Sequence, residues 1–163
     1  MNSDSGNDVL IRPATVEDAV NIEIILSTYF LDRDDIPHER FFVAEKNGKV
    51  VGCAVFEKLK TQETGDVFFE IHTIAILPSY KGKGIGRMLL NRLFEEIKKE
   101  IERGTSAEKT KTLTTIYTRT TAPNFFIKEG FEKADIDKKK YWSECVKCSR
   151  IDQIGGASCR ERV

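Results

Sequence analysis

The clearest pattern along the chain lies between residues 67 and 103, where an apolar stretch leads through a glycine-rich loop into an amphipathic stretch. Val67 to Leu77 is rich in β-branched and aromatic residues, which predicts a strand that ends at a turn around Pro78. After the glycines, apolar residues recur every three or four positions among Lys, Glu and Arg, which predicts a helix that covers a sheet and ends at Gly104. The expected core face of this helix is Leu89, Leu90, Leu93, Ile97 and Ile101.

The residues before this stretch predict a strand, a helix and a hairpin. Val9 to Arg12 is a short strand, and Thr15-x-x-Asp18 resembles a capping box that opens a helix through about Phe30. A charged segment from 31 to 40 should be a mobile loop. The helix is expected to present its apolar stripe to the core through Val16, Val20, Ile24 and Ile25. Phe41 to Glu45 and Lys49 to Leu59 should be strands joined at Asn47-Gly48, since Asn and Gly tolerate positive φ.

The second half of the chain completes the expected sheet. A turn over residues 60–66 makes strands two to four a meander, and Leu113 to Thr118 is a fifth strand, parallel to the fourth because a helix lies between them. A short helix follows, with Thr121 as N-cap, Pro123 in its first turn and Gly130 at its end. The fold class is therefore α/β (α+β), with a mixed, mostly antiparallel sheet of about six to seven strands and helices on both faces.

Length and charge narrow the range of functions. We expect a single domain over residues 9–150, with a flexible N-terminus at 1–8 and a disordered or vector-derived tail at 151–163. Lys plus Arg and Asp plus Glu both number 26, so no global field attracts nucleic acid or an anionic membrane. No run of 18 apolar residues and no signal-peptide pattern is present, so we expect a cytoplasmic protein.

The four cysteines, Cys53, Cys145, Cys148 and Cys159, do not form a recognisable framework. The chain is too long and too poor in cysteine for a disulfide scaffold, and Cys145-x-x-Cys148 supplies only half of a zinc site. Packing is the simplest role for these residues, with a zinc or redox pair as the alternatives. No metal is expected.

The glycine loop is the best candidate binding site. Gly82, Gly84 and Gly86 stand where a helix begins, so backbone N–H groups are left uncovered at the positive end of the helix dipole. Lys81 and Lys83 add positive charge, as does Arg87, which predicts a phosphate or pyrophosphate ligand. The spacing fits neither a Walker loop nor a Rossmann fingerprint.

Two segments resemble one family. Lys81 to Gly86 resembles the Q/R-x-x-G-x-G/A loop of the GNAT superfamily of N-acetyltransferases, and the strand before it resembles that family's fourth strand. Thr121 to Phe131 resembles the A-x-x-F/L-Y-x-K-x-G-F segment of the same family. The resemblance implies the GNAT fold and acetyl-CoA as co-substrate. It implies a coenzyme site at Ile74, Ala75, Ile76, Lys81, Gly82, Lys83, Gly84, Ile85, Gly86, Arg87, Asn124 and Phe126.

The chain departs from the family pattern at two positions. Phe126 replaces a tyrosine whose hydroxyl protonates the leaving thiolate in many members, and Arg119 replaces an asparagine near the pantetheine arm. Residues 138–148 resemble the amino-acid acetyltransferase branch, typified by N-acetylglutamate synthase. In the family, the first helix and the following loop wall the acceptor site, where this chain carries Arg33, His38 and Arg40.

The reaction indicates which residues could be catalytic. An amine must lose a proton before it attacks a thioester, so a base is required. Glu70, in an apolar strand, matches the strand-four glutamate of several GNAT enzymes, and His72 on the same face could relay the proton. Tyr117 or Tyr141 could replace the missing tyrosine acid. The alternatives are that Glu70 pairs with a basic neighbour and His72 is structural.

Two functions remain open from the sequence. The first is an N-acetyltransferase that acts on a small-molecule amine, with neither nucleic acid nor membrane as a partner and with a homodimer left open. The second is a catalytically weak acyl-CoA-binding module, which the phenylalanine at position 126 favours.

Overall fold

A computed structural model of the chain describes residues 8–61, 63–104, 115–136, 141–142 and 161–162. Within these residues the strands are β1 (Val9–Pro13), β2 (Phe42–Lys46), β3 (Lys49–Lys60), β4 (Val67–Ile76), β5 (Ile116–Thr120) and β6 (Glu161–Arg162). The α-helices are α1 (Ala19–Thr28), α2 (Ile85–Arg103) and α3 (Pro123–Lys128). Short 3-10 helices lie at Val16–Asp18, His38–Arg40 and Pro78–Tyr80.

The described residues form two compact units. The first contains the residues up to Phe56 together with Thr73–Gly104, and the second contains Glu57–His72 together with the residues from 115 onward. Strands β3 and β4 each contribute to both units. The predicted α+β class is confirmed, and the single domain over residues 9–150 stays a prediction.

The first unit contains strands in the order β1-β2-β3-β4. β1 and β2 are antiparallel, as are β2 and β3. The connection between β2 and β3 is the predicted hairpin, with positive φ angles of 51° at Asn47 and 74° at Gly48. The antiparallel pairing and these positive φ angles confirm the hairpin prediction. Beyond the end of β4, the backbone N–H of Leu77 donates to the carbonyl of Val51 of β3 at 2.8 Å.

Helices cover both faces of the sheet in this unit. Val43, Cys53 and Val55 of the strands pack in one core cluster with Ile22 and Ile25 of α1. On the opposite face, Gly52 lies against Leu89 of α2, because alternate residues of a strand point to opposite faces. The unit thus has a helix–sheet–helix arrangement, as predicted.

The predicted apolar stripe of α1 is wrong. Val16, Val20 and Ile24 are 68%, 69% and 52% exposed, and the buried residues are Ile22, Ile25 and Leu26. Only Ile25 of the predicted stripe is buried.

The reason lies at the start of the helix, where Asp18 is buried. Its carboxylate accepts hydrogen bonds from the Arg12 guanidinium at 2.8 and 3.0 Å and from the Thr15 backbone N–H at 2.8 Å. Because Asp18 is fixed inward, residues three to four steps further along the helix also face the sheet. The predicted capping box between Thr15 and Asp18 is present.

Helix α2 follows its prediction except at its last turn. Leu89, Leu90, Leu93 and Ile97 are buried, whereas Ile101 is 46% exposed. Gly104 follows the helix as predicted but has a φ of −55°, so the helix ends without a left-handed residue.

The second unit contains β3-β4-β5 in that order. β4 and β5 are parallel, with Glu70 opposite Tyr117, so the predicted parallel pair is confirmed. Helix α3 has Ala122 as its N-cap, which corrects the prediction of Thr121. The reason is that the hydroxyl of Thr120 accepts the Ala122 N–H at 2.9 Å.

Helix α3 ends as predicted at a glycine. Gly130 follows the helix with a φ of 93°, a value typical of glycine after a helix. Glu161 and Arg162 lie antiparallel to β5 as β6. The disordered or vector-derived tail over residues 151–163 stays a prediction. Residues 143–150, which include the Cys145-x-x-Cys148 pair, lie outside the described residues.

Candidate active site

The glycine loop is shaped by its own local sequence. The 3-10 turn Pro78–Tyr80 leads from β4 to Gly82 and Gly84, whose φ angles are 75° and 80°. α2 begins at Ile85, a buried side chain that fixes the first turn of the helix to the core. A Cβ at Gly82 or Gly84 would meet no other atom within 4 Å, so open space lies beside the loop. The loop thus leaves room for a ligand at the N-terminal N–H groups of α2.

Positive charge surrounds this loop. Lys81 Nζ lies 4.6 Å from the centre of the Tyr29 ring, and Lys83 Nζ lies 5.5 Å from the centre of the Tyr80 ring. Arg87, in the first turn of α2, is exposed. The Tyr29 hydroxyl donates to the carbonyl of Ile76. A pyrophosphate fits the chemistry of this loop, since basic side chains lie beside a helix N-terminus, whose first N–H groups have no intrahelical acceptors.

The end of β4 is packed tightly against β3. An added Cβ at Gly52 would lie 2.7 Å from Ile76 Cδ1 and 3.2 Å from the carbonyl oxygen of Ala75. A side chain at this position would therefore require the end of the Ile76 side chain to shift. Ala75 and Ile76 are buried and Ile74 is partly buried, so only their backbone groups are suited to hydrogen-bond a ligand.

In the second unit, Glu70 is a buried carboxylate with an ion-pair partner. It has no exposed surface, and Arg119 Nε and Nη2 donate to it at 3.0 and 3.3 Å. The indole N–H of Trp142 donates to the same carboxylate. The Arg119 guanidinium lies 4.7 Å from the centre of the Trp142 ring. The charge of Glu70 is thus compensated within the chain, as the alternative interpretation of Glu70 expected.

Arg119 and Trp142 are partners that the sequence reasoning did not assign to Glu70. A signal for Arg119 was present, because Glu70 lies opposite Tyr117 and Arg119 is two residues further along β5 on the same face. Trp142 is 72 residues from Glu70 in sequence, and no local pattern places it there.

His72 and Tyr117 also belong to this second unit. His72 is 4% exposed and follows Glu70 by two residues on β4, so both side chains are on one face if the strand is regular. The Tyr117 ring contacts Phe68, Tyr141 and Trp142, with ring-centre distances of 5.8, 5.1 and 6.1 Å. Glu70 of β4 lies opposite Tyr117 of β5, and the side chains around this pair are mostly aromatic.

Helix α3 presents its two predicted coenzyme residues differently. Asn124 is exposed, whereas Phe126 is 5% exposed and packs edge-to-face on Phe125 and Phe131. Phe126 is therefore part of an aromatic cluster of its own.

The basic residues expected near an acceptor have partners in the first unit. Glu23 Oε1 lies 2.9 Å from Arg33 Nε and 2.8 Å from His38 Nε2. Hydrogen bonds from His38 and Arg33 lower the pKa of Glu23. Arg40 donates to the Phe56 carbonyl at 3.3 Å. These contacts hold the segment after α1 to the helix and to β3.

The described ranges contain neither a metal-binding cluster nor a membrane-spanning helix. Within them, no group of three or more His, Cys, Asp or Glu side chains is placed to hold a metal ion. No helix there combines the length and apolar character that crossing a membrane requires.

Comparison with known proteins identifies relatives of this chain. Residues 37–133 match the family model described as an acetyltransferase (GNAT) domain. An uncharacterised N-acetyltransferase of Chlorobaculum tepidum is 26% identical over 154 residues, which is 88% of this chain and 89% of that protein. An amino-acid acetyltransferase of Pseudomonas fluorescens is 30% identical over 100 residues, and the match covers 61% of this chain but only 20% of that enzyme.

Solved structures share the fold. Rv2747 of Mycobacterium tuberculosis, in complex with CoA and NLQ, has a TM-score of 0.62 and 21% identity, covering 94% of this chain and 98% of that one. N-acetylglutamate synthase of Neisseria gonorrhoeae, in complex with coenzyme A and N-acetyl-glutamate, has a TM-score of 0.58 and 22% identity. The match covers 78% of this chain and 29% of that one.

Proposed function

The chain belongs to the GNAT family of acetyl-CoA-dependent N-acetyltransferases, and we propose that its acceptor is the primary amine of a small amino acid or a similar small amine. The acceptor class is supported by the partial similarity to amino-acid acetyltransferases. The main support for a coenzyme site is the glycine loop, where positive φ angles at Gly82 and Gly84 precede the first turn of α2.

The glycine loop and the end of β4 are proposed to bind different parts of the coenzyme. In this proposal the N–H groups from Gly82 to Gly86 bind the pyrophosphate, and Lys81, Lys83 and Arg87 supply charge. Backbone groups of Ile74–Ile76 bind the pantetheine arm, and an N–H there stabilises the acetyl carbonyl oxygen, an effect of roughly 3 kcal/mol in comparable sites. Asn124 and Phe126 of α3 complete the proposed coenzyme site.

Glu70 is the proposed general base. A carboxylate offers about four acceptor positions, and the described hydrogen bonds from Arg119 and Trp142 use three of them. Because Glu70 has no exposed surface, the proposal requires a local opening that lets the amine reach the remaining position, directly or through a water molecule. His72, two residues along β4, is the proposed relay to solvent, because a neutral imidazole can both accept and donate.

The general acid is proposed to be Tyr117. Phe126 has no hydroxyl, and Tyr117 lies opposite Glu70 in the β4–β5 register. A thiolate with an ordinary pKa near ~8.5 leaves readily at neutral pH, so an acid should assist the reaction only modestly.

The same phenylalanine favours the second candidate function, a catalytically weak acyl-CoA-binding module. The two candidates differ in turnover. Release of free thiol from acetyl-CoA in the presence of any amine supports the enzyme, and tight coenzyme binding without thiol release supports the module.

The role of Glu70 is tested with Glu70→Gln, and Glu95→Gln on the exposed face of α2 is the matched control. We expect Glu70→Gln to lower kcat by roughly 10²-fold at neutral pH, with coenzyme affinity nearly unchanged. The loss should shrink as pH rises, because free amine then needs no base. A loss that is constant with pH, or full activity at neutral pH, contradicts the role of Glu70 as base.

The role of His72 is tested separately with His72→Gln. The expected result is a smaller loss of kcat than for Glu70→Gln, with the same rescue at high pH. Unchanged kcat over the whole pH range contradicts the relay.

A further inference from the structure

Lysines of the first unit gather around one tyrosine beside the glycine loop. Lys49 Nζ lies 5.9 Å and Lys83 Nζ lies 5.5 Å from the centre of the Tyr80 ring. Lys46 is the cross-strand partner of Lys49 at the end of the β2–β3 hairpin. Two elements that are distant in sequence, the hairpin end and the loop, thus bring positive charge to Tyr80.

These lysines lack compensating carboxylates. Within the described ranges, no ion pair joins Lys46, Lys49 or Lys83 to an acidic side chain. Like charges directly opposite each other on paired strands destabilise a hairpin, and Lys46 and Lys49 are such a pair. The arrangement is therefore one that an anion would stabilise.

Tyr80 restricts where the two ammonium groups lie. A free lysine side chain at the surface samples many rotamers, and contact with a ring face restricts it through a cation–π interaction. Lys49 and Lys83 are both exposed, so their ammonium groups can turn from the ring toward a ligand with little rearrangement. Together they form a small basic surface, the Tyr80 lysine cluster, of Lys46, Lys49 and Lys83.

We propose that the Tyr80 lysine cluster binds the 3′-phosphate of coenzyme A, so that this chain distinguishes coenzyme A from 3′-dephospho-coenzyme A. The inference rests on the proposal that the adjacent glycine loop binds the pyrophosphate. With the pyrophosphate on the loop, the coenzyme still carries a monoester phosphate of about −1.5 to −2 charge at pH 7. Lysine binds phosphate as a point charge, which suits a flexible, exposed contact. The balanced overall charge of the chain favours a small anion over nucleic acid as the occupant.

Isothermal titration calorimetry with coenzyme A and with 3′-dephospho-coenzyme A tests the proposal. The proteins are wild type, Lys49→Gln, Lys83→Gln and, as a matched control, Lys98→Gln on the exposed face of α2. Wild type should bind coenzyme A several-fold more tightly than 3′-dephospho-coenzyme A, since each exposed charge pair contributes up to about fivefold. Lys49→Gln should reduce this preference several-fold by weakening coenzyme A alone. Lys83→Gln should weaken both ligands, because Lys83 is also proposed to supply charge to the pyrophosphate, but it should weaken coenzyme A more. Lys98→Gln should leave the preference unchanged.

Added salt provides a second readout. The preference for coenzyme A should fall as potassium chloride is raised, because exposed charge pairs are screened. A preference that does not change with salt contradicts contacts with exposed lysines.

The outcomes separate this inference from the coenzyme site itself. If wild type binds both ligands equally while Gly86→Asp loses both, the lysine cluster has no such role and the loop remains the coenzyme site. If Lys98→Gln weakens coenzyme A as much as Lys49→Gln does, the effect is one of general charge and the inference is wrong. If neither ligand binds wild type, both the inference and the proposed coenzyme site are wrong.

Discussion

Replacing Arg119 by methionine should destabilise the chain strongly, because Glu70 would keep a buried charge without its cationic partner. Glu70 has no exposed surface and Arg119 is 8% exposed, so water cannot replace the lost guanidinium. The substitution removes the two hydrogen bonds of 3.0 and 3.3 Å that join the side chains. It also removes the stacking of the guanidinium on Trp142.

The expected magnitude follows from the burial of the pair. Removing one partner of a buried ion pair costs about 3–5 kcal/mol of unfolding free energy, because an uncompensated charge remains. A surface ion pair is worth about 0–1 kcal/mol. Arg103 offers the matched control, since it is paired with Glu100 at 3.3 Å and its side chain is 70% exposed. Arg103→Met should therefore change the free energy of unfolding by less than about 0.5 kcal/mol.

Urea denaturation at pH 7 measures both variants, and Glu70→Gln with Arg119→Met completes a double-mutant cycle. The double variant should be more stable than the sum of the single losses predicts, with a coupling of at least about 2 kcal/mol. A loss below about 1 kcal/mol for Arg119→Met, or additive single losses, would refute the buried ion pair.

Three further predictions concern separate parts of the chain. Arg12 lowers the pKa of Asp18 from 3.8 to about 2, so Asp18 stabilises the folded state fully above about pH 4 and loses that contribution as pH falls toward 2. Between these pH values, the free energy of unfolding should fall by about 2 kcal/mol more in wild type than in Asp18→Asn, and equal losses would contradict this. Burial raises the pKa of Cys53 to about 12, so a thiol reagent should not label it in the native protein. Mass spectrometry should find the labelled peptide only after urea is added, and rapid labelling of the native protein would contradict this. Gly84→Asp, which adds a carboxylate to the open side of the loop, should abolish coenzyme binding, and unchanged calorimetric affinity in a folded variant would disprove the loop site.

Local signals made much of the fold predictable. The Asn47-Gly48 turn and the glycines of the loop require positive φ, and that requirement can be recognised from residue type alone. The parallel pairing of β4 and β5 follows from the long connection between them, which contains α2. These features depend on neighbours in sequence or on chain connectivity.

Features set by packing were harder to predict. Helix α1 is apolar on nearly every side, so periodicity could not choose between the stripe at Val20 and Ile24 and the stripe at Ile22 and Leu26. The choice is made by Asp18, which is held by Arg12 of β1. Ile101 continues the apolar period of α2 at the helix end but is half-exposed.

The surroundings of Glu70 show the same limit at the candidate site. Its position on β4 was predictable, but its partners Arg119 and Trp142 are 49 and 72 residues away in sequence. Arg119 could have been inferred from the parallel register, whereas Trp142 required the tertiary structure. The catalytic roles of Glu70, His72 and Tyr117 remain predictions.

Thiol release from acetyl-CoA across a panel of amino acids and small amines is the most direct test of the central claim, that this chain is an N-acetyltransferase for a small primary amine. The account predicts turnover with at least one acceptor, loss of that turnover in Gly86→Asp, and an acetylated amine of the expected mass. Tight binding of coenzyme A with no thiol release from any amine would contradict it and would favour the binding module.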